Sequence, residues 1–420
     1  MKHSLLNKAE RVLRLDIRYA LSSGFWLNLG SAVTILGSFL ISIAFANLLP
    51  KETFGTYQYL LSVFSILTAF TLTGMNSAIT RAVAQGDETV LRASIRPQLA
   101  WSSLSSLIAF SMSAYYLING DLRLGIGGIC IAIALPIVTT FNSYASFLIG
   151  KKAFRTHFFF SSAGNIAYYA LMLLTVMFAP SVVPLVAVNL AITALSPLVL
   201  YIVTIRTFKL KIGEIDPEVL SYSKHLSIMN LIGAISLQID NFLIFHFLGP
   251  VQLAAYSMAT LIPDRIGGIF KNITNAVLPR FAEQPIERLR STIMRKALVM
   301  LFPIAGTIFA YIVFVPYIFA WIYPQYVDVI PYTQVFSLTL LMAAGNFVGA
   351  VLLAHRRIKG LYIASTVTPV ANLVFQTIGI MIWGLWGLIA GRILAGILFL
   401  IVVIPTVLIS AREPGSGSLT

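Results

Sequence analysis

VVPLVAVNLAITALSPLVLYIVTIRTFKLK, residues 182–211, carries no charge from Val182 to Ile205 and then three basic residues, Arg206, Lys209 and Lys211. The apolar part exceeds the roughly 20 residues that a helix needs to cross a bilayer core. Hydrocarbon offers the backbone no hydrogen-bond partner, so only helices and closed barrels span it. Barrel strands are alternating segments of about 10 residues. This run is long and continuous, which decides for a helix. The basic residues that follow mark its cytoplasmic end, where lysine and arginine are retained.

Runs of the same kind recur on both sides. The pattern predicts spans over 24–47, 57–75, 98–118, 124–149, 158–179, 182–205, 225–248, 254–278, 297–316, 329–354, 361–380 and 386–410. Composition agrees: 58% of the 420 residues are hydrophobic and 10% are charged, against about half and a quarter in soluble domains. The first span follows a basic start, and Ala44-Phe45-Ala46 resembles a cleavage site. Its apolar stretch outruns the roughly 7–15 residues of a signal core, so it reads as an uncleaved anchor.

A net charge of +14 raises the possibility of a nucleic-acid partner. The basic residues, however, sit between apolar runs rather than on one solvated face, so no nucleic acid is expected. Of the 29 Lys and Arg, Arg265, Lys271 and Arg392 fall within spans, and Lys51 and Arg123 fall in outside loops. The remaining 24 all fall on the inside if the N-terminus is cytoplasmic. A wrong span count would scramble that partition. Both termini are therefore expected in the cytoplasm.

The expected organisation is all-α and polytopic. It has an N-terminal six-helix bundle, 1–210; a cytoplasmic linker, 211–224; a C-terminal six-helix bundle, 225–410; and a flexible cytoplasmic tail, 411–420. The halves match at an offset of 199 residues, Leu49 with Leu248, Tyr57 with Tyr256 and Arg81 with Arg280. Six spans per half make the repeats parallel, related by a pseudo-twofold along the membrane normal. Transporters built this way place their site near the midplane.

The sequence holds no H-E-x-x-H, C-x-x-C, G-x-S-x-G or phosphate-binding glycine loop. No two of His3, His157, His225, His246 and His355 stand at i, i+4. The lone Cys130 forms neither an internal disulfide nor a metal site. Nothing calls for a metal or cofactor. The outside loops are too short to hold the catalytic groups of a membrane polymerase or transferase, which argues against an enzyme.

Charges inside spans are costly and usually face a cavity or each other. Five stand there: Asp240, Asp264, Arg265, Lys271 and Arg392. Asp264, Gly268, Lys271 and Asn275 recur at helical spacing and share one face. Pro263 precedes them and removes a backbone donor. Gly387, Ala390, Gly391, Ala395 and Gly396 surround Arg392 and permit close packing, so Arg392 is expected to point inward. Asp240 is either a permanent ion-pair partner or a group that exchanges a proton and pairs alternately with Arg265 or Lys271. Amides are spread through the spans, among them Asn28, Asn142, Asn165, Asn346, Asn372 and Gln376. They suit interhelical hydrogen bonds or sugar hydroxyls.

Phe54-Gly55-Thr56-Tyr57, then Gly74-Met75-Asn76-Ser77-Ala78-Ile79-Thr80-Arg81 and Gln85-Gly86-Asp87, with Leu278-Pro279-Arg280 in the second half, resemble the polysaccharide (Wzx-type) flippases. Those belong to the multidrug/oligosaccharidyl-lipid/polysaccharide exporter superfamily. The resemblance implies two six-helix bundles, a central cavity and alternating access. It implies a polyprenyl-pyrophosphate-linked oligosaccharide as cargo, an O-antigen or other surface-polysaccharide unit. It also implies a bacterial inner membrane, contact with membrane lipids and polymerase machinery, and coupling to H+ or Na+. The alternative is a drug or organic-cation exporter of the same superfamily. The expected substrate-cavity residues, taken from intramembrane charge and polarity, are Asp264, Arg265, Lys271, Asn275 and Arg392, with Asp240 for ion coupling.

Overall fold

The computed structural model describes residues 17–284, 286–355 and 358–410; within them some side chains, among them Asn28, Asn275 and Arg280, lie outside the described residues. The expected tail, 411–420, lies outside them as well.

All regular structure among the described residues is helical. The first half comprises α1 (Ile17–Leu48), α2 (Lys51–Ala69), α3 (Met75–Ala84), α4 (Val90–Ala93), α5 (Ile95–Ile118), α6 (Leu122–Phe141), α7 (Ser143–Gly150), α8 (Phe154–Phe178) and α9 (Val182–Phe208). The second comprises α10 (Pro217–Ser236), α11 (Ile239–Leu248), α12 (Pro250–Ala282), α13 (Ile286–Ile322), α14 (Ile330–Phe336), α15 (Met342–Ala354) and α16 (Ile358–Ser410), with 3-10 turns at Pro324–Val329 and Ser337–Leu341. Eight described segments are long and apolar enough to cross a membrane. Large apolar side chains cover the outside: Phe302 is 85% exposed and Leu36 65%. Such a surface suits acyl chains, and the protein is a multi-pass membrane protein.

The chain divides into two compact units, Met1–Leu49 with Val63–Leu231, and Pro50–Ser62 with Ile232–Thr420. In unit 1, α5 and α6 pack closely; a Cβ on Gly128 would lie 2.8 Å from the Ser113 Cβ, and the Ser113 hydroxyl donates to the Gly125 carbonyl at 2.5 Å. Met75, Ile79, Leu91, Phe147 and Tyr201 form a buried core, and the Tyr201 hydroxyl donates to the Leu91 carbonyl at 3.1 Å. The long runs expected over 124–149 and 225–248 are each interrupted, at Asn142 and at Leu237–Gln238.

At two prolines of unit 2 the helical ladder is broken and a neighbouring side chain repairs it. Pro263 has no N–H for the Ala259 carbonyl four residues before it; the Thr333 hydroxyl donates to that carbonyl instead, at 2.6 Å. Pro316 likewise deprives Ile312, whose carbonyl accepts from Gln334 Nε2 at 3.0 Å.

α16 changes direction at Trp383 (φ −131°, ψ 17°) and Gly384 (φ 59°, ψ −133°). Gly384 supplies the positive φ that side chains resist. A Cβ on Gly379 would lie 2.1 Å from the Gly387 carbonyl oxygen, and one on Gly391 would lie 2.4 Å from that of Phe375. Both pairs are centred on residue 383. The arms are therefore antiparallel, backbone against backbone, and the single candidate span Thr366–Val407 is a helical hairpin.

Gly387→Leu should force the arms apart, because its Cβ would meet the Gly379 carbonyl at 1.9 Å. Overpacking costs at least about 1–3 kcal/mol. Gly306→Ala, where a Cβ meets nothing within 4 Å, should hold or raise the thermal midpoint in detergent. Equal midpoints for the two variants would refute this packing.

Candidate functional site

Unit 2 contains a cavity of about 670 Å³. α12 supplies one wall because Asp264, Gly267, Gly268 and Lys271 fall on one helical face. α16 supplies another, with Asn372 and Gln376 on its first arm and Arg392 on its second. Gly233 and Ser236 of α10, Thr339, Asn346 of α15 and Thr368 of α16 also line it.

Arg392 organises the charges. Its Nη1 donates to Asp240 Oδ2 at 2.6 Å and to the Tyr256 hydroxyl at 2.7 Å, and Tyr256 in turn donates to Asp240 Oδ2 at 2.5 Å. Asp240 is 3% exposed and Tyr256 2%, so this triangle is closed to solvent. The guanidinium lies over the Phe336 ring, 5.0 Å from its centroid. Its other nitrogen, Nη2, stands 3.9 Å from Asp264 Oδ1, beyond hydrogen-bonding distance. Arg392 is thus fixed on the buried side and loosely held on the cavity side.

The small residues beside Arg392 explain its position. Gly387 and Gly391 meet the backbone of the other arm, and a Cβ on Gly396 would lie 2.7 Å from the Met342 sulfur. Arg392 is carried into the unit by that packing. Lys271 has no ion-pair partner among the described residues. Two acceptors on the cavity wall, Asn372 Oδ1 and Gln376 Oε1, are buried without a hydrogen-bond partner.

The structure brings Asp264, Lys271 and Arg392 to the cavity wall and places Asp240 immediately behind it. Arg265, adjacent to Asp264, is exposed and is not part of the lining. The Asn275 side chain lies outside the described residues. Asp240 pairs with Arg392 rather than with Arg265 or Lys271, because the helix break at Leu237–Gln238 turns it away from the α10 face carrying Gly233 and Ser236. Tyr256 and Phe336 were absent from the expected set. Only the alignment of Tyr57 with Tyr256 singled out one of them. Asn165 and Asn189 make interhelical bonds, to the Thr34 hydroxyl at 3.0 Å and the Tyr168 hydroxyl at 2.8 Å.

A family model described as polysaccharide biosynthesis protein matches residues 20–284. No curated protein matches the sequence. Among solved structures, the lipid II flippase MurJ in an inward closed conformation superposes with a TM-score of 0.70 at 16% identity, covering 93% of this chain and 87% of that one. An inward-facing multidrug resistance MATE family transporter of the MOP superfamily gives 0.65 at 15%, covering 90% and 94%. A MOP superfamily transporter from Pyrococcus furiosus gives 0.57 at 14%, covering 94% and 96%. At these identities the likeness is one of fold.

Removing one partner of a buried ion pair leaves an uncompensated charge and costs about 3–5 kcal/mol. Arg392→Leu should therefore lower the thermal midpoint strongly. The double variant Asp240→Asn/Arg392→Leu should recover much of that loss, as a double-mutant cycle in detergent would measure. Additive losses would contradict the pairing.

Proposed function

Because the chain belongs to the polysaccharide biosynthesis protein family, we propose that it is a flippase for a polyprenyl-pyrophosphate-linked oligosaccharide. The cargo is an O-antigen or other surface-polysaccharide repeat unit, moved from the cytoplasmic to the outer leaflet of a bacterial inner membrane by alternating access. The observation that carries this reading is the cavity wall of unit 2, which combines two cations with unpartnered amide acceptors. The loosely held edge of Arg392 and the unpaired Lys271 suit the oxygens of a pyrophosphate, which Arg binds bidentately and Lys as a point charge. Asn372 Oδ1 and Gln376 Oε1 have no internal donor, and sugar hydroxyls supply donors. A cavity for organic cations would instead be dominated by carboxylates; here Asp264 stands against Arg392 and Lys271.

Twelve spans in two bundles fit this reading. To the eight candidate segments, one of them the α16 hairpin, are added α2, α5 and α12, which are more polar helices of spanning length. With both termini cytoplasmic, that count satisfies the distribution of Lys and Arg. Asp240 is the candidate coupling group. It holds Arg392 Nη1 behind the cavity wall, so any change in that pairing acts on the guanidinium that faces the cavity.

Deletion of the gene should cause a lipid-linked glycan to accumulate on the cytoplasmic face. Lys271→Arg should restore surface polysaccharide, whereas Lys271→Glu, at equal expression, should restore less than about a tenth of it, the loss expected for about 1.4 kcal/mol of charge-assisted binding. Equal rescue by the two variants would remove Lys271 from the site.

A further inference from the structure

Unit 1 has a second cavity, of about 270 Å³, whose lining carries no Asp, Glu, Lys or Arg. That size lies just below the roughly 300–1,000 Å³ typical of small-molecule sites and suits one ring rather than a chain of them. Its wall includes Asn142, His157, Asn165, Tyr168, Thr193 and Ser196. Asn165 lies about 16 Å along α8 from Phe154, and Ser196 lies about 15 Å along α9 from Arg206. Both therefore approach the middle of a hydrocarbon core about 30 Å thick. Polar groups at that depth are expensive unless they are satisfied internally or line a cavity.

The satisfaction is incomplete on this wall. Among the described residues, the side chains of Asn142, His157 and Ser196 have no hydrogen-bond partner. Asn165 commits its amide nitrogen to Thr34 at 3.0 Å, which leaves its carbonyl oxygen to accept. The backbone is broken at the same place. Asn142 interrupts the helix between α6 and α7, and Pro197 has no N–H for the Thr193 carbonyl. In unit 2 the carbonyls freed by Pro263 and Pro316 are taken by Thr333 and Gln334. No side chain among the described residues takes that of Thr193. Tyr168 is held by Asn189, whose Nδ2 donates to its hydroxyl at 2.8 Å, and so presents an oriented aromatic ring.

We propose that this cavity is a subsite for a single uncharged pyranose ring of the transported glycan. The inference rests on the flippase reading and assigns the neutral sugar to unit 1. A pyranose offers several hydroxyls, each both donor and acceptor, together with an apolar C–H face. The hydroxyls donate to the Thr193 carbonyl and the Asn165 Oδ1. They accept from Asn142 and Ser196, and the C–H face packs on an aromatic ring. The absence of charge on the wall excludes the pyrophosphate, which has its own cations in the unit 2 cavity.

Saturation-transfer NMR on the purified protein in detergent tests this, with methyl glycosides of neutral hexoses and N-acetylhexosamines as probes. At least one glycoside should bind and should not be displaced by inorganic pyrophosphate. Asn142→Ala and the cavity-filling Ser196→Leu should each weaken it roughly tenfold, the effect of losing about one good hydrogen bond. Asn142→Ala, which removes no internal bond, should leave the thermal midpoint unchanged and so report on binding even if Ser196→Leu folds poorly. No binding by any glycoside, displacement by pyrophosphate, or full binding by Asn142→Ala would each overturn the subsite. The two readings fail separately. Loss of the subsite alone leaves glycan accumulation in the deletion strain intact, whereas failure of the flippase reading abolishes that accumulation and leaves glycoside binding intact.

Discussion

Hydrocarbon supplies neither donors nor acceptors, so every polar group inside this chain must be answered by another group of the chain or by something that enters it. Most are answered internally. Thr333 takes the carbonyl that Pro263 releases, and Gln334 takes the one that Pro316 releases. Arg392, Asp240 and Tyr256 close a triangle of hydrogen bonds away from solvent. Among the described residues, some unanswered groups stand on cavity walls, Asn372 Oδ1 and Gln376 Oε1 in unit 2 and Asn142, His157 and Ser196 in unit 1, while others, such as the Ser105, Thr140 and Tyr326 hydroxyls, are buried elsewhere. The functional reading rests on the groups at the cavity walls, which a ligand can reach.

Arg392 has a double role in this account. Its buried edge holds α11, α12 and the second arm of α16 together through Asp240 and Tyr256. Its cavity edge is separated from Asp264 by 3.9 Å, close enough to be oriented and too far for a hydrogen bond. One guanidinium thus serves packing on one side and an anion on the other. The rigid fork of Arg makes this division possible in a way that the point charge of Lys would not. The backbone contacts of Gly387 and Gly391 place the residue, so the hairpin and the site depend on the same small side chains.

The membrane character and the rough positions of the long apolar helices were legible, because uncharged runs such as 182–205 and the asymmetry of the basic residues leave little freedom. Interruptions were harder to read. Asn142 and the Leu237–Gln238 turn fall inside continuous apolar runs, where hydropathy does not change when a helix bends. The face carrying Asp264, Gly268 and Lys271 was legible from helical spacing, and the structure puts those residues on one cavity wall. The partner of Asp240 was not, because Arg392 stands 152 positions away and a single sequence encodes no tertiary pairing. Tyr256 and Phe336 looked like ordinary aromatic packing. The unit 1 cavity was hidden for a related reason: its asparagines, Asn142 and Asn165, read equally well as interhelical hydrogen bonds, and Asn165 does make such a bond.

The central claim is that this chain moves a lipid-linked glycan without altering it. The direct measurement uses purified protein in sealed vesicles, loaded with the lipid-linked glycan from the cytoplasmic leaflet of cells lacking the gene. A membrane-impermeant, glycan-modifying reagent reads which leaflet holds the headgroup. The account predicts protein-dependent exposure of the glycan to the opposite leaflet, with its mass unchanged. Vesicles in which the glycan stays in its leaflet, or is recovered chemically altered, would contradict it.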